Sequence, residues 1–131
     1  MLATRELQKI ASARLRDAKA LFAAKRYDGA VYICGYAVEL ALKARICKTL
    51  KWLGYPVTNK EFESLHSFKV HDLDRLLHLS GKELSVRTAY LAEWSAIAAW
   101  NPEVRYTPIG SAKAVDAELM IASANVLLKK L

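Results

Sequence analysis

Three observations predict an all-α fold, an up-and-down bundle of about five helices. Alanine and leucine dominate the apolar residues while Val, Ile and Thr are modest in number, a balance that favours helix over sheet. Apolar residues recur at helical spacing in successive segments. No segment alternates strictly between apolar and polar residues, so no strand is expected. With 131 residues the chain reads as one domain, 1–131. At that length a core forms without a disulfide or metal as a staple.

The first helix is expected from Ala3 to Ala24. Leu7, Ala11, Leu15, Ala18 and Phe22 share one face of it, and Arg5, Lys9, Arg16 and Lys19 populate the others. The second follows Asp28, a candidate N-cap, and spans the run Ala30–Leu53, with Gly54 and Pro56 as stop signals. This run is apolar nearly all the way round, which predicts burial on every side. Gly35 is a poor helix former. With Ala37, Ala41 and Ala44 it predicts close approach of a neighbouring backbone, either within the bundle or from a second subunit. Thr58 with Glu61, and Ser80 with Glu83, are spaced as capping boxes. A third helix is expected from near Val70 to Gly81, and a fourth after it that stops before Asn101–Pro102. A final helix carries Ala117, Met120, Ile121, Ala124, Leu127, Leu128 and Leu131.

Composition excludes some classes. No apolar run reaches membrane-spanning length, so no membrane association is expected. Cys34 and Cys47 sit on one predicted helix, about 20 Å apart at 1.5 Å per residue. That separation forbids an intrachain disulfide and fits a reduced, cytoplasmic protein. The net charge is +7, and residues 1–26 hold seven of the Lys and Arg against only Glu6 and Asp17. A basic surface of this kind suits a polyanion or simply a solvated helix face. The acids, the scarcity of Ser and the apolar stripe of this segment argue against a transit peptide.

Three constellations carry possible chemistry. Tyr36, Glu39 and Lys43 are spaced three and four apart, so they form one stripe on the apolar helix, and Tyr32 extends it. Charges there must be paired to be tolerated. The stripe is either a structural ion pair or the lining of a cleft or subunit contact. His71 and Asp72 stand at a helix start, where they act as a cap with a satisfied histidine or as ligand-binding groups. Trp100-Asn101-Pro102-Glu103-Val104-Arg105-Tyr106 places an arginine and aromatics in a rigid interhelical loop. Arg105 and Tyr106 can bind an anion or a base there, or fold back onto Glu39. His66, His71 and His78 have no metal-ligand spacing, and no metal or cofactor is expected.

Three stretches together resemble the HEPN domain (higher eukaryotes and prokaryotes nucleotide-binding). They are Arg14–Ala18 through Tyr27-Asp28-Gly29-Ala30, then Gly35–Ala44, then His71-Asp72-Leu73 with Leu76–Leu77 and Trp100–Tyr106. The resemblance implies a small helical bundle that usually forms a homodimer. It also implies nucleotide or RNA binding, or action beside a minimal nucleotidyltransferase, often as a toxin–antitoxin pair. Nuclease members carry Arg followed by His after four to six residues. Here Arg75 precedes His78 with two residues between, and Arg105 has no histidine after it. The resulting expectation is a non-catalytic HEPN-type domain with Tyr36, Glu39, Lys43, His71, Asp72, Arg105 and Tyr106 as ligand-binding residues. The alternatives are a metal-independent ribonuclease that uses His71 and Arg105 in an atypical arrangement, and a protein-interaction bundle.

Overall fold

The computed structural model describes Met1–Leu131. Six α-helices account for most of the chain: α1 (Thr4–Ala23), α2 (Tyr27–Leu50), α3 (Leu73–Ser80), α4 (Glu83–Ala89), α5 (Leu91–Ile97) and α6 (Ala114–Lys130). A two-residue strand, β1 (Leu2–Ala3), pairs antiparallel with β2 (Gly54–Tyr55). Single 3-10 turns lie at His66–Phe68 and Pro102–Tyr106.

The all-α bundle is as expected, and α2 is its axis. Its buried residues are Ala30, Cys34, Ala37, Val38, Ala41, Leu42, Ala44, Ile46 and Cys47, with the charged exception of Glu39. They meet Leu7, Leu15 and Ala18 of α1, Leu73, Leu76 and Leu77 of α3, and Ala117, Ala124 and Leu127 of α6, all within one continuous core. A leucine such as Leu42, with no exposed surface, contributes about 1.5–3 kcal/mol by leaving water. Both cysteines are free and buried. Desolvation pushes the Cys34 thiol up to about 12. Of its small residues, Ala37 is packed inside the protomer, whereas Ala41 and Ala44 border a depression between α1 and α6.

The neighbour that Gly35 admits is a side chain, not a backbone. A Cβ on Gly35 would lie 2.0 Å from the Trp100 indole, so the ring rests directly on the helix. Gly54 answers the other close approach: a Cβ there would meet the Leu2 carbonyl oxygen at 2.6 Å.

Several boundaries depart from the sequence expectation for local reasons. Helix α2 starts at Tyr27 and ends at Leu50, because Lys51 adopts a left-handed conformation (φ 56°) that closes the helix three residues before Gly54. Two pairing residues after that turn are then free to form β2. Helix α3 begins at Leu73, where the Asp72 carboxylate accepts the Arg75 N–H at 3.1 Å. Ser80 makes no box with Glu83. Its hydroxyl donates to the Leu77 carbonyl and accepts the Lys82 N–H, which turns the chain after α3. Thr58 and Glu61 do form their reciprocal contact, but around a turn rather than a helix. The expected fourth helix is two, α4 and α5. Tyr90 (φ −131°, ψ 34°) breaks it, so α4 stays against α3 while α5 turns along α6.

Asp28 is not the N-cap of α2 but its second residue. Its carboxylate accepts the N–H groups of Gly110 (2.7 Å) and Ala112 (2.9 Å), and so ties the loop before α6 to the start of α2. These two donors hold its pKa below the ordinary 3.8. A depressed folded value means that the tether contributes at neutral pH and is lost as pH falls through that value, below 3.8. Amide exchange at Gly110 and Ala112 is therefore expected to keep its protection down to pH 3.8 and to lose it only at more acid pH. Asp28→Ala should show the same loss at pH 7. Unchanged protection in that variant would mean the loop is held by other contacts.

Candidate functional site

The site is built on the outward stripe of α2. Glu39 is 2 % exposed, a burial that a carboxylate tolerates only with partners. Lys43, one turn later, donates from Nζ to Oε2 at 3.0 Å. That order, Glu before Lys by four, is the favourable one on a helix. His71, in the loop before α3, sets Nδ1 at 3.1 Å from both carboxylate oxygens. An ionised carboxylate only accepts, so in this contact Nδ1 carries the proton and Nε2 is left as the open nitrogen. The His71 side chain is 61 % exposed, so that nitrogen reaches solvent.

Lys43 is also held from below. Its Nζ lies 5.3 Å from the centre of the Tyr55 ring, a cation–π distance. Tyr55 is buried and donates its hydroxyl to the Phe68 carbonyl at 2.5 Å, which pins β2 to the segment that leads to His71. Burial raises the Tyr55 phenol well above its ordinary value, with Cys47 and Glu39 adding to the effect.

Toward the N-terminal end of the same stripe the site turns aromatic. Tyr36 stands edge-on to Tyr32 (ring centres 5.2 Å apart) and to Trp100 (5.0 Å). Its phenol is shifted upward by burial first, then by Tyr32 and Glu39. The buried Trp100 leads into the 3-10 turn that carries Arg105 and Tyr106. Asn101 starts that turn by accepting the Glu103 N–H at 2.8 Å, with Pro102 at the first helical position. The Arg105 guanidinium lies 4.9 Å from the Tyr106 ring centre. Tyr106, then Tyr32, favour its charged form. Tyr106 is 72 % exposed, and no carboxylate pairs with Arg105.

The seven expected site residues thus take different places. Tyr36, Glu39, Lys43 and His71 are joined in one cluster, with Arg105 and Tyr106 at its aromatic end. Asp72 points its carboxylate into the α3 cap. Arg105 does not fold back onto Glu39, because Lys43 and His71 occupy both of that carboxylate's oxygens. Arg105 and His71 make no hydrogen bond to each other; each is committed elsewhere. Tyr32, Tyr55 and Trp100 belong to the site as well. Tyr32 was signalled by its i,i+4 spacing from Tyr36. Trp100 was signalled only as part of the loop, and Tyr55 by nothing local, since its place under Lys43 depends on the β1–β2 pairing.

The family model of the HEPN domain matches residues 4–53, which cover α1, α2 and the turn between them. No curated protein and no solved structure matches the chain.

Proposed function

We propose that this chain, whose first two helices match the HEPN family model, is a HEPN-type domain that binds nucleotide, free or within RNA, without cleaving it. The binding strip is Tyr32, Tyr36, Arg105 and Tyr106, with His71 at its far end. One observation carries this reading. The buried acid of the site is already paired with Lys43 and hydrogen-bonded by His71, whereas Arg105 is an exposed cation with aromatic rings beside it and no acid to pair with. A guanidinium in that setting suits a phosphate, which it can bind through two parallel N–H donors. The Tyr rings suit a base, since stacking tolerates any sequence. Glu39 and Lys43 hold the frame of the site rather than the ligand. A homodimer, a minimal nucleotidyltransferase partner and a toxin–antitoxin role are carried by the family resemblance alone.

Titration with ATP and with an eight-nucleotide RNA tests the proposal. Wild type is expected to bind both. Arg105→Ala should weaken binding roughly 10- to 100-fold, the range of a charge-assisted hydrogen bond, and Arg105→Lys should recover only part of it. Equal affinity of wild type and Arg105→Ala would refute the assignment. A ribonuclease is the second reading, favoured by one feature: the imidazole of His71 is oriented by a buried carboxylate and keeps a free nitrogen, the arrangement of a general base. Metal-independent RNA cleavage that His71→Ala abolishes would establish it in place of simple binding.

A further inference from the structure

Helices α1 and α6 both pack more closely on α2 than on each other. The space left between them is a groove on the far side of α2 from Glu39. Its floor includes Ala41 and Ala44, which lie roughly 140° around α2 from the Tyr36–Glu39–Lys43 stripe at 100° per residue. The groove is continuous through three adjoining depressions. The first, about 200 Å³, lies between Gln8 and Leu131. It shares Ser12 and Leu128 with the second, about 280 Å³, which Arg16, Lys19 and Lys129 border. The second shares Lys19 and Asn125 with the third, about 300 Å³, which ends at Phe22 and Glu118. From Gln8 to Phe22 the groove follows α1 for about 21 Å.

Two properties of this groove point to one kind of occupant. Its floor is apolar at both ends, with Ala11, Ala41 and Ala44 at one and Phe22 and Ile121 at the other, and Leu15 and Leu128 carry it through the more polar middle. Its rim is basic: Arg16, Lys19 and Lys129 are exposed and pair with no carboxylate, and Lys19 reaches only the Asn125 side-chain oxygen at 3.0 Å. We propose that this groove docks an acidic amphipathic helix of a partner protein. Apolar side chains at i, i+3, i+4 and i+7 would enter the three depressions, and Asp or Glu on the flanks would meet the basic rim. About four helical turns fit the groove's length. A second copy of the chain is a poor occupant, since each carries +7 and would bring basic surface to basic surface. Single-stranded nucleic acid is a poor occupant too, because the floor has Phe22 as its one aromatic residue and so offers no stacking platform.

The test is a display selection of random 16-residue peptides on the whole protein, with counter-selection on Ser12→Trp. Ser12 is exposed at the junction of two depressions, so tryptophan there blocks the groove while leaving the core alone. Circular dichroism verifies the fold of the variant. Peptides that survive should combine a helical apolar stripe with an excess of Asp and Glu. They should bind Ser12→Trp and Arg16→Glu/Lys19→Glu/Lys129→Glu at least tenfold more weakly than wild type. They should bind Arg105→Ala as well as wild type, which separates this face from the nucleotide site. Failure to enrich any peptide, or enrichment of peptides without acidic flanks, would overturn the proposal. So would tight binding of a twelve-nucleotide oligouridylate that Ser12→Trp abolishes, which would assign the groove to nucleic acid.

Discussion

Gly35→Ala is expected to destabilise the domain by about 2–3 kcal/mol, although alanine is the better helix former. The added methyl would sit 2.0 Å from the Trp100 ring, well inside contact distance. The indole has little room to retreat, since it is 5 % exposed and Tyr36 stands against it. A loss of that size lowers the melting temperature of a domain this long by roughly 5–10 °C. Displacing Trp100 also shifts the turn that presents Arg105, so nucleotide affinity should fall together with stability. Gly29 is the internal control. A Cβ there meets nothing closer than 3.4 Å, so Gly29→Ala should be neutral or gain up to about 1 kcal/mol of helix propensity. Matching melting temperatures for the two variants would show that Trp100 does not depend on the bare backbone at Gly35.

Glu39→Ala is expected to cost about 3 kcal/mol or more in urea denaturation, because it leaves the largely buried Lys43 ammonium without its acid. The pair is not in itself a strong source of stability, since removing two charges from water offsets most of their attraction. Glu39→Met/Lys43→Met should therefore recover most of what the single change loses. His71 gives a second readout: without the carboxylate at 3.1 Å its ring is freed, and its imidazole NMR resonances should shift in position. A double variant as unstable as the single one would mean that the cluster's hydrogen bonds, rather than its unpaired charge, set the cost.

The helices were readable from the chain because their apolar spacing is local. α1 and α6 follow directly from Leu7-Ala11-Leu15-Ala18 and from Ala117-Met120-Ala124-Leu127. The apolar run of α2 pointed to its central place, but burial on every side does not hold: Val31, Tyr32, Ile33, Tyr36 and Leu40 stay partly exposed. The ends were less readable because non-glycine residues set them. Lys51, not Gly54, takes the left-handed turn, and Tyr90 interrupts a stretch with no helix breaker. The Glu39–Lys43 pair was visible as i,i+4 spacing. Its third member, His71, comes from 32 residues away, so its arrival could only be suspected from resemblance. Asp28 shows the same limit: a residue type that caps helices instead reaches a loop 82 residues on. Local rules name the donor or acceptor, while the tertiary fold chooses its partner.

The small β1–β2 pairing has a consequence for the order of assembly. Leu2 faces Tyr55 and Ala3 faces Gly54, so the ends of the α1–α2 hairpin are fastened to each other, with Thr4 N–H reaching the Leu53 carbonyl as well. The segment so closed coincides with the residues that match the family model. Contacts near the α1–α2 turn close short loops and form at the smallest entropic cost, whereas the β1–β2 pairing closes a loop of about 50 residues and follows them. α6 joins the hairpin last in chain order, and the groove that α6 completes exists only once the whole chain has folded.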